Sequence, residues 1–151
     1  MAKKRIAVLF GGASADHAAS LHTAYSVLSA MPKEVEPLAI GITRAGRWLF
    51  YPGSYENIKD GSWEQDSDCC SCVISPDMTN KGVIKIISDG ESTIHRIDAV
   101  FPVLHGKYGE DGRVQGLCKL AGLPIIGKSF VGRRPACRCR QRRGKVHRAK
   151  R

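Results

Sequence analysis

No apolar run in this chain approaches the roughly 18 residues that a membrane-crossing helix requires, so no membrane partner is expected and a soluble protein is predicted. A secretory signal is lacking too. Lys3, Lys4 and Arg5 precede only the short apolar run 6–10, which leads into a glycine turn where a small-residue cleavage site would stand; this points to a cytoplasmic address. The last 24 residues contain no acid, although they hold eleven of the 24 lysines and arginines. Residues 1–127 therefore carry 13 bases against 14 acids, a net of −1, and the overall +10 belongs to the tail alone. That tail is also poor in apolar residues, with Phe130 its sole aromatic and Val131 and Val146 its only branched aliphatics. It cannot build a helix or strand with a buried face, so a disordered basic arm is expected for 128–151. Eleven bases could neutralise phosphates, which keeps a basic-tailed nucleic-acid-binding module as an alternative. No aromatics interleave the bases to stack on nucleobases and no recognition motif accompanies them, so nucleic acid is not the expected partner. Finally, the six cysteines lack two well-spaced ligand pairs: Cys69 and Cys72 enclose Cys70, while Cys137 and Cys139 stand one residue apart. Structural zinc is disfavoured, and reduced, incidental thiols in a loop are expected instead.

What remains is room for one domain, residues 1–127, followed by the tail. Residues 5–10, Arg-Ile-Ala-Val-Leu-Phe, form a continuous apolar run of the kind buried on both faces of a parallel sheet. After Gly11 and Gly12, apolar side chains recur at Leu21, Tyr25 and Leu28, with Ala24, Val27 and Met31 beside them, which predicts a helix ending before Pro32. Ser14 or Asp16 can cap its first turn. Further strands are predicted at 35–43, 47–51, 83–87, 93–97, 99–104 and 123–127, with the pair around Asp89 and Gly90 antiparallel on the flank, and a helix over 114–120. From 52 to 81 no period is sustained, so a long surface loop with a short helix near 55–58 is expected. Strands alternating with helices imply an α/β fold: a mostly parallel, Rossmann-like sheet with flanking helices.

The chemistry is placed in His105-Gly106-Lys107-Tyr108-Gly109-Glu110-Asp111-Gly112, a polar loop at the carboxyl end of an apolar strand, where open α/β sheets bind ligands. On position alone this is an ordinary strand-to-helix turn. A second loop, Gly11-Gly12-Ala13-Ser14-Ala15-Asp16-His17, follows the first strand, and Val114-Gln115-Gly116-Leu117 follows the later loop. With Ala121-Gly122-Leu123-Pro124-Ile125-Ile126-Gly127, these stretches make residues 4–127 resemble the amino-terminal, pre-ATP-grasp domain of D-alanine–D-alanine ligases, which join two D-alanines for peptidoglycan in cell-wall biogenesis.

The resemblance implies substrate-binding roles for two residues. Asp16 stands where the family has a glutamate that binds the ammonium of the first D-alanine; aspartate is one methylene shorter, which leaves helix capping as a rival role. His105 matches a histidine near the substrate carboxylate, to which an imidazole can donate. Gly11, Gly12, Ser14, His17, Gly106, Gly109, Glu110, Asp111 and Gly112 are expected to support the two loops, Glu110 and Asp111 by bonding backbone amides. ATP with magnesium or manganese is implied for the full-length family, whose lysines, metal-binding acids and arginine lie in later domains. Neither cofactor is expected to bind this chain tightly, no catalytic or metal-ligating residue is expected in it, and D-alanine is expected to bind weakly at best. A truncated, inactive ligase is the leading expectation, with a homodimer or a non-catalytic association with an intact ligase left open. The break into arginines after Gly127 is what a shifted reading frame in a GC-rich gene would produce.

Overall fold

The computed structural model describes residues 2–80, 82–106 and 109–127; the expected basic arm, with Cys137 and Cys139, lies outside them. Seven strands form one sheet in the order β6-β5-β4-β3-β2-β1-β7. In chain order these are β1 (Lys4–Gly11), β2 (Val35–Ile42), β3 (Trp48–Phe50), β4 (Cys70–Ile74), β5 (Val83–Ser88), β6 (Glu91–Arg96) and β7 (Ala99–Pro102). Helix α1 (His17–Ser29) follows β1, α2 (Tyr55–Asp60) follows β3, and α3 (Arg113–Ala121) follows the loop after β7.

The α/β class with flanking helices is as expected, but the sheet is mixed where a mostly parallel one was anticipated. β1 pairs in parallel with β2 and β7, whereas the junctions from β2 through β6 are all antiparallel. The reason lies in the connections. Parallel neighbours in sequence need a crossover of a dozen or more residues, which α1 supplies between β1 and β2. Turns too short for a crossover join β2 to β3, β4 to β5 and β5 to β6, while residues 51–69, long enough for one, return β4 antiparallel beside β3. The turn between β5 and β6 puts Asp89 at φ 50° and Gly90 at φ 82°, two positive values in succession that suit a tight antiparallel hairpin. The apolar stretch after α3 makes only a single parallel bridge, Val100 with Ile125.

Residues 52–80 hold more than the loop expected. The short helix anticipated near 55–58 is α2, but a 3₁₀ turn at Ser62–Gln65, strand β4 and a second 3₁₀ turn at Met78–Asn80 were not anticipated. Trp63, from the first of these turns, is fully buried and meets Phe10 edge-on with ring centroids 5.1 Å apart. β4 is short, and its inward positions include a cysteine, so its alternation is weak; pairing with β3 and β5 holds it in place. The thiols of this stretch are correspondingly not incidental loop groups. Cys72 is 3 % exposed within the core, and burial pushes its thiol up to about 12.

Each face of the sheet has its own core. β1 contributes Ala7 and Leu9 to one and Val8 and Phe10 to the other, as a strand buried on both faces must. Val114, Cys118 and Ala121 of α3 cover the first face, together with Leu38, Ile40, Ile84 and Ile86 of the strands. Leu21, Ala24 and Leu28 of α1, with Ile58 and Trp63, cover the second. At about 25 cal/mol per Å² these apolar faces supply the dominant favourable term for folding.

Candidate functional site

Strand order sets the position of the site. From β1 the chain crosses by α1 to β2 on one side, and much later β7 arrives on the other. The loops leaving the carboxyl ends of β1 and β7 therefore start side by side and diverge, which opens a crevice at the switch point of the sheet. Both motifs read from the sequence are in those two loops.

The first loop is held from within. Gly11 and Gly12 adopt φ of 87° and 96°, and a side chain on Gly11 would collide with the Ile42 carbonyl. Gly11 N–H donates to Ser20 Oγ at 2.9 Å and Gly12 N–H to the Ile42 carbonyl at 2.7 Å. His17, 4 % exposed, donates from Nδ1 to the Gly12 carbonyl at 2.7 Å, which leaves Nε2 facing Glu64 Oε1 at 3.6 Å. His17 is thus a brace for the turn. Asp16 occupies the cap position of α1, but its side chain makes no capping hydrogen bond, so the rival capping role finds no contact.

Three hydroxyls tie the loops together. Ser20, fully buried on α1, accepts from Gly11 N–H and donates to the Val103 carbonyl at 2.5 Å, bridging the ends of β1 and β7. Ser14 Oγ donates to the His105 carbonyl at 2.8 Å. Thr23 Oγ1 lies 3.1 Å from His105 Nε2. The carboxylate of Asp16 meets Gly106 itself: a Cβ built on that glycine would stand 2.5 Å from Asp16 Oδ2 and 3.2 Å from Ser14 Oγ. Gly106 has φ 78°, so both conformation and space require glycine there.

Asp16, His105, Ser14, Gly106, Gly11, Gly12 and His17 are therefore brought together. The far end of the second loop is built differently. Gly109 and Glu110 donate their amides to the Gly106 carbonyl at 3.1 and 3.0 Å, while the Glu110 side chain is exposed. Asp111 accepts from Arg113 N–H at 3.2 Å and pairs with Arg113 Nε at 3.1 Å, and Gly112, at φ 92°, starts α3. Sequence reasoning missed Ser20 and Thr23. A signal existed: Asp16, Ser20 and Thr23 recur at spacings of four and three, the stripe of one helical face.

A depression of about 350 Å³ lies on the outer side of His17 and is lined by Arg44, Lys59, Asp60 and Glu64. Another of about 450 Å³ runs along Trp48, Cys72, Ile74 and Leu117. Neither includes Asp16 or His105.

This fold recurs in known proteins. Residues 5–128 match the family model described as the D-ala D-ala ligase N-terminus. The chain is 48 % identical over 128 residues to a D-alanine–D-alanine ligase of Caldicellulosiruptor bescii, covering 84 % of this chain and 34 % of the relative. A D-alanine–D-alanine ligase of Thermoanaerobacter sp. is 41 % identical over 132 residues, covering 87 % and 36 %. Among solved structures, the VanG D-Ala:D-Ser ligase of Enterococcus faecalis superposes with a TM-score of 0.76 at 41 % identity, over 82 % of this chain and 35 % of that one. The D-alanine–D-alanine ligase of Coxiella burnetii gives 0.68 at 26 % identity, over 83 % and 35 %. The chain thus spans about a third of the length of the relatives it matches. With both glycine loops meeting at one switch point and this likeness running through nearly all of residues 5–128, the chain belongs to the D-alanine–D-alanine ligase family and corresponds to its amino-terminal domain.

Proposed function

We propose that residues 1–127 act as the D-alanine-binding domain of a D-alanine-joining ligase, with Asp16 and His105 facing the first D-alanine. One observation carries this reading: Asp16, from the loop after β1, packs its carboxylate against Gly106 of the loop after β7, the residue that follows His105 in the chain. A carboxylate at an open crevice can pair with the ammonium of a small amino acid. Ser14, Gly11, Gly12, His17, Gly109, Asp111 and Gly112 give the two loops their shape, and Gly106 admits the Asp16 carboxylate.

The family's ATP and divalent metal are not assigned to these residues. Among the described residues no group of three or more His, Cys, Asp or Glu is arranged to hold a metal ion. The glycine turn does not fit a triphosphate either, because a phosphate cradle works through free backbone amides. Here the amides of Gly11 and Gly12 are already spent on Ser20 Oγ and the Ile42 carbonyl. Substrate capture is proposed for this chain and phosphoryl chemistry is not, so no turnover is expected from it alone.

Titrating the full 151-residue chain with D-alanine while recording ¹H–¹⁵N spectra tests the reading. The amides of Asp16, His105 and Gly106 should shift at millimolar D-alanine, and Asp16→Ala should abolish the response. Perturbations confined to the depression beside Glu64, or none at any concentration, would sink it.

A further inference from the structure

Thr23 lies on α1 two turns beyond Asp16 and reaches the site only through its contact with His105. Its hydroxyl has two neighbours: the Ala19 carbonyl at 3.0 Å and His105 Nε2 at 3.1 Å. A hydroxyl carries one hydrogen and two lone pairs. A carbonyl oxygen can only accept, so the Thr23 hydrogen goes to Ala19, one helical turn back. Toward His105, Thr23 then has only a lone pair to offer, and Nε2 must bring the hydrogen. In a neutral imidazole one nitrogen carries a hydrogen and the other a lone pair, and the partner of one nitrogen decides which. The backbone of His105 is fixed independently by Ser14 Oγ at its carbonyl. The backbone is thus tied to the first loop and the ring to α1, and Nδ1 has no hydrogen-bond partner among the described residues.

We propose that Thr23 is a positioning residue that locks neutral His105 as its Nε2–H tautomer and leaves Nδ1 as a hydrogen-bond acceptor at the crevice. The inference rests on the reading of the crevice as an amino-acid site, and it changes what His105 does there. The resemblance implied donation to the substrate carboxylate. A neutral ring held by Thr23 has no hydrogen to donate at its free nitrogen. It accepts one instead, so His105 and Asp16 together favour the ammonium end of D-alanine, and engagement of a carboxylate by Nδ1 requires a second proton on the ring. Thr23 thereby sets the polarity of a contact that it never makes itself.

Long-range ¹H–¹⁵N correlation spectra of the histidine rings, taken on the full chain in mildly alkaline buffer, test the lock directly. The expected result is a protonated Nε2 and an unprotonated Nδ1 for His105, with His22 and His95 as internal references. Thr23→Val, which keeps the shape and removes the hydroxyl, should release the ring toward a tautomer mixture and weaken D-alanine binding about tenfold. Thr23→Ser restores the hydroxyl and should restore both. A wild-type ring protonated at Nδ1, or a Thr23→Val spectrum with unchanged tautomer populations, overturns the positioning role. If the tautomer responds as expected but D-alanine moves no resonance of the crevice, the substrate reading fails and the acceptor role falls with it, while the lock itself stands. A ligand comparison separates polarity from binding: ethylamine should move the His105 Nδ1 resonance and propionate should not, and the reverse order overturns the acceptor assignment.

Discussion

The centre of the sheet and its wing obey different rules. In the centre, β2, β1 and β7 run parallel, so the chain leaves β1 and β7 at the same edge and two loops distant in sequence meet. In the wing, β3 through β6 alternate in direction, so consecutive loops fall on opposite edges and no two of them gather residues at one place. The side chains follow suit. The centre carries helices on both faces, whereas beyond β3 one face is bare, with Val73 49 % exposed and Ile94 68 % exposed. Parallel pairing is what makes the crevice; the wing widens the sheet and completes the core beneath α3.

The sharpest way to break this comparison is through Ser20. Its hydroxyl joins Gly11 N–H to the Val103 carbonyl in a fully buried position, so it couples the two parallel strands where the site begins. Ser20→Ala strands a buried donor and a buried acceptor at once, each costing about 1–3 kcal/mol. A loss of about 2–4 kcal/mol in urea unfolding is expected, together with loss of the D-alanine response at Asp16 and Gly106. A destabilisation under about 0.5 kcal/mol would mean that the centre does not depend on this bridge.

The same contrast decides how much could be read from the sequence. β1, β2 and α1 were legible because burial on both faces, or along one helical stripe, writes a continuous or periodic apolar pattern, and β5 because its branched aliphatics stand between turn residues. Both loops were legible from their glycines, and the positive φ of Gly11, Gly12 and Gly106 shows why those positions require them. β4 was not legible: Cys70, Cys72 and Ile74 alternate, but Ser71 and two thiols make a faint pattern whose strand character comes from neighbours far away in the chain. Trp63 was missed for a similar reason, since a lone aromatic among Ser, Glu and Gln carries no period. The β5–β6 hairpin was legible from Asp89-Gly90 and β3 as a return strand after Ala45-Gly46, whereas the antiparallel pairing of β4 with β3 and β5 was invisible because β4 itself writes so faint a pattern. In the site, Asp16 and His105 came from the motifs, whereas Ser20 and Thr23 look like ordinary helix hydroxyls until β7 is placed beside β1.

Alkaline titration sharpens the comparison from the other side, because each region has a buried thiol in the same core. Burial raises Cys72 of the wing to about 12 and Cys118 of α3 to about 11, against an ordinary value of 9.0. Unfolded thiols lose their protons near pH 9 while the folded ones keep them, so the folded state binds more protons throughout that window. Stability is therefore full below pH 9 and declines as pH rises toward the folded values, by about 1.4 kcal/mol per thiol for each pH unit. Because tyrosines and lysines titrate in the same range, the informative quantity is the difference between the wild type and Cys72→Val in urea midpoints at pH 8 and pH 10. The variant should lose less over that interval. Parallel losses would show that β4 opens to solvent and that the wing does not share the central core.

The smallest effect is expected at Ile94, and it tests the bare face itself. Ile94 lies on β6, the edge strand, opposite Lys85 in the register, and its side chain is mostly in solvent. Removing an exposed apolar side chain forfeits little transfer free energy, so Ile94→Ser should change stability by no more than about 0.5 kcal/mol and leave the D-alanine response of Asp16 and His105 unaltered. If the substitution instead destabilises the chain by about 2 kcal/mol, Ile94 is covered in solution. The wing would then be a packed element in its own right, and the division between a site-bearing centre and a supporting flank would have to be redrawn.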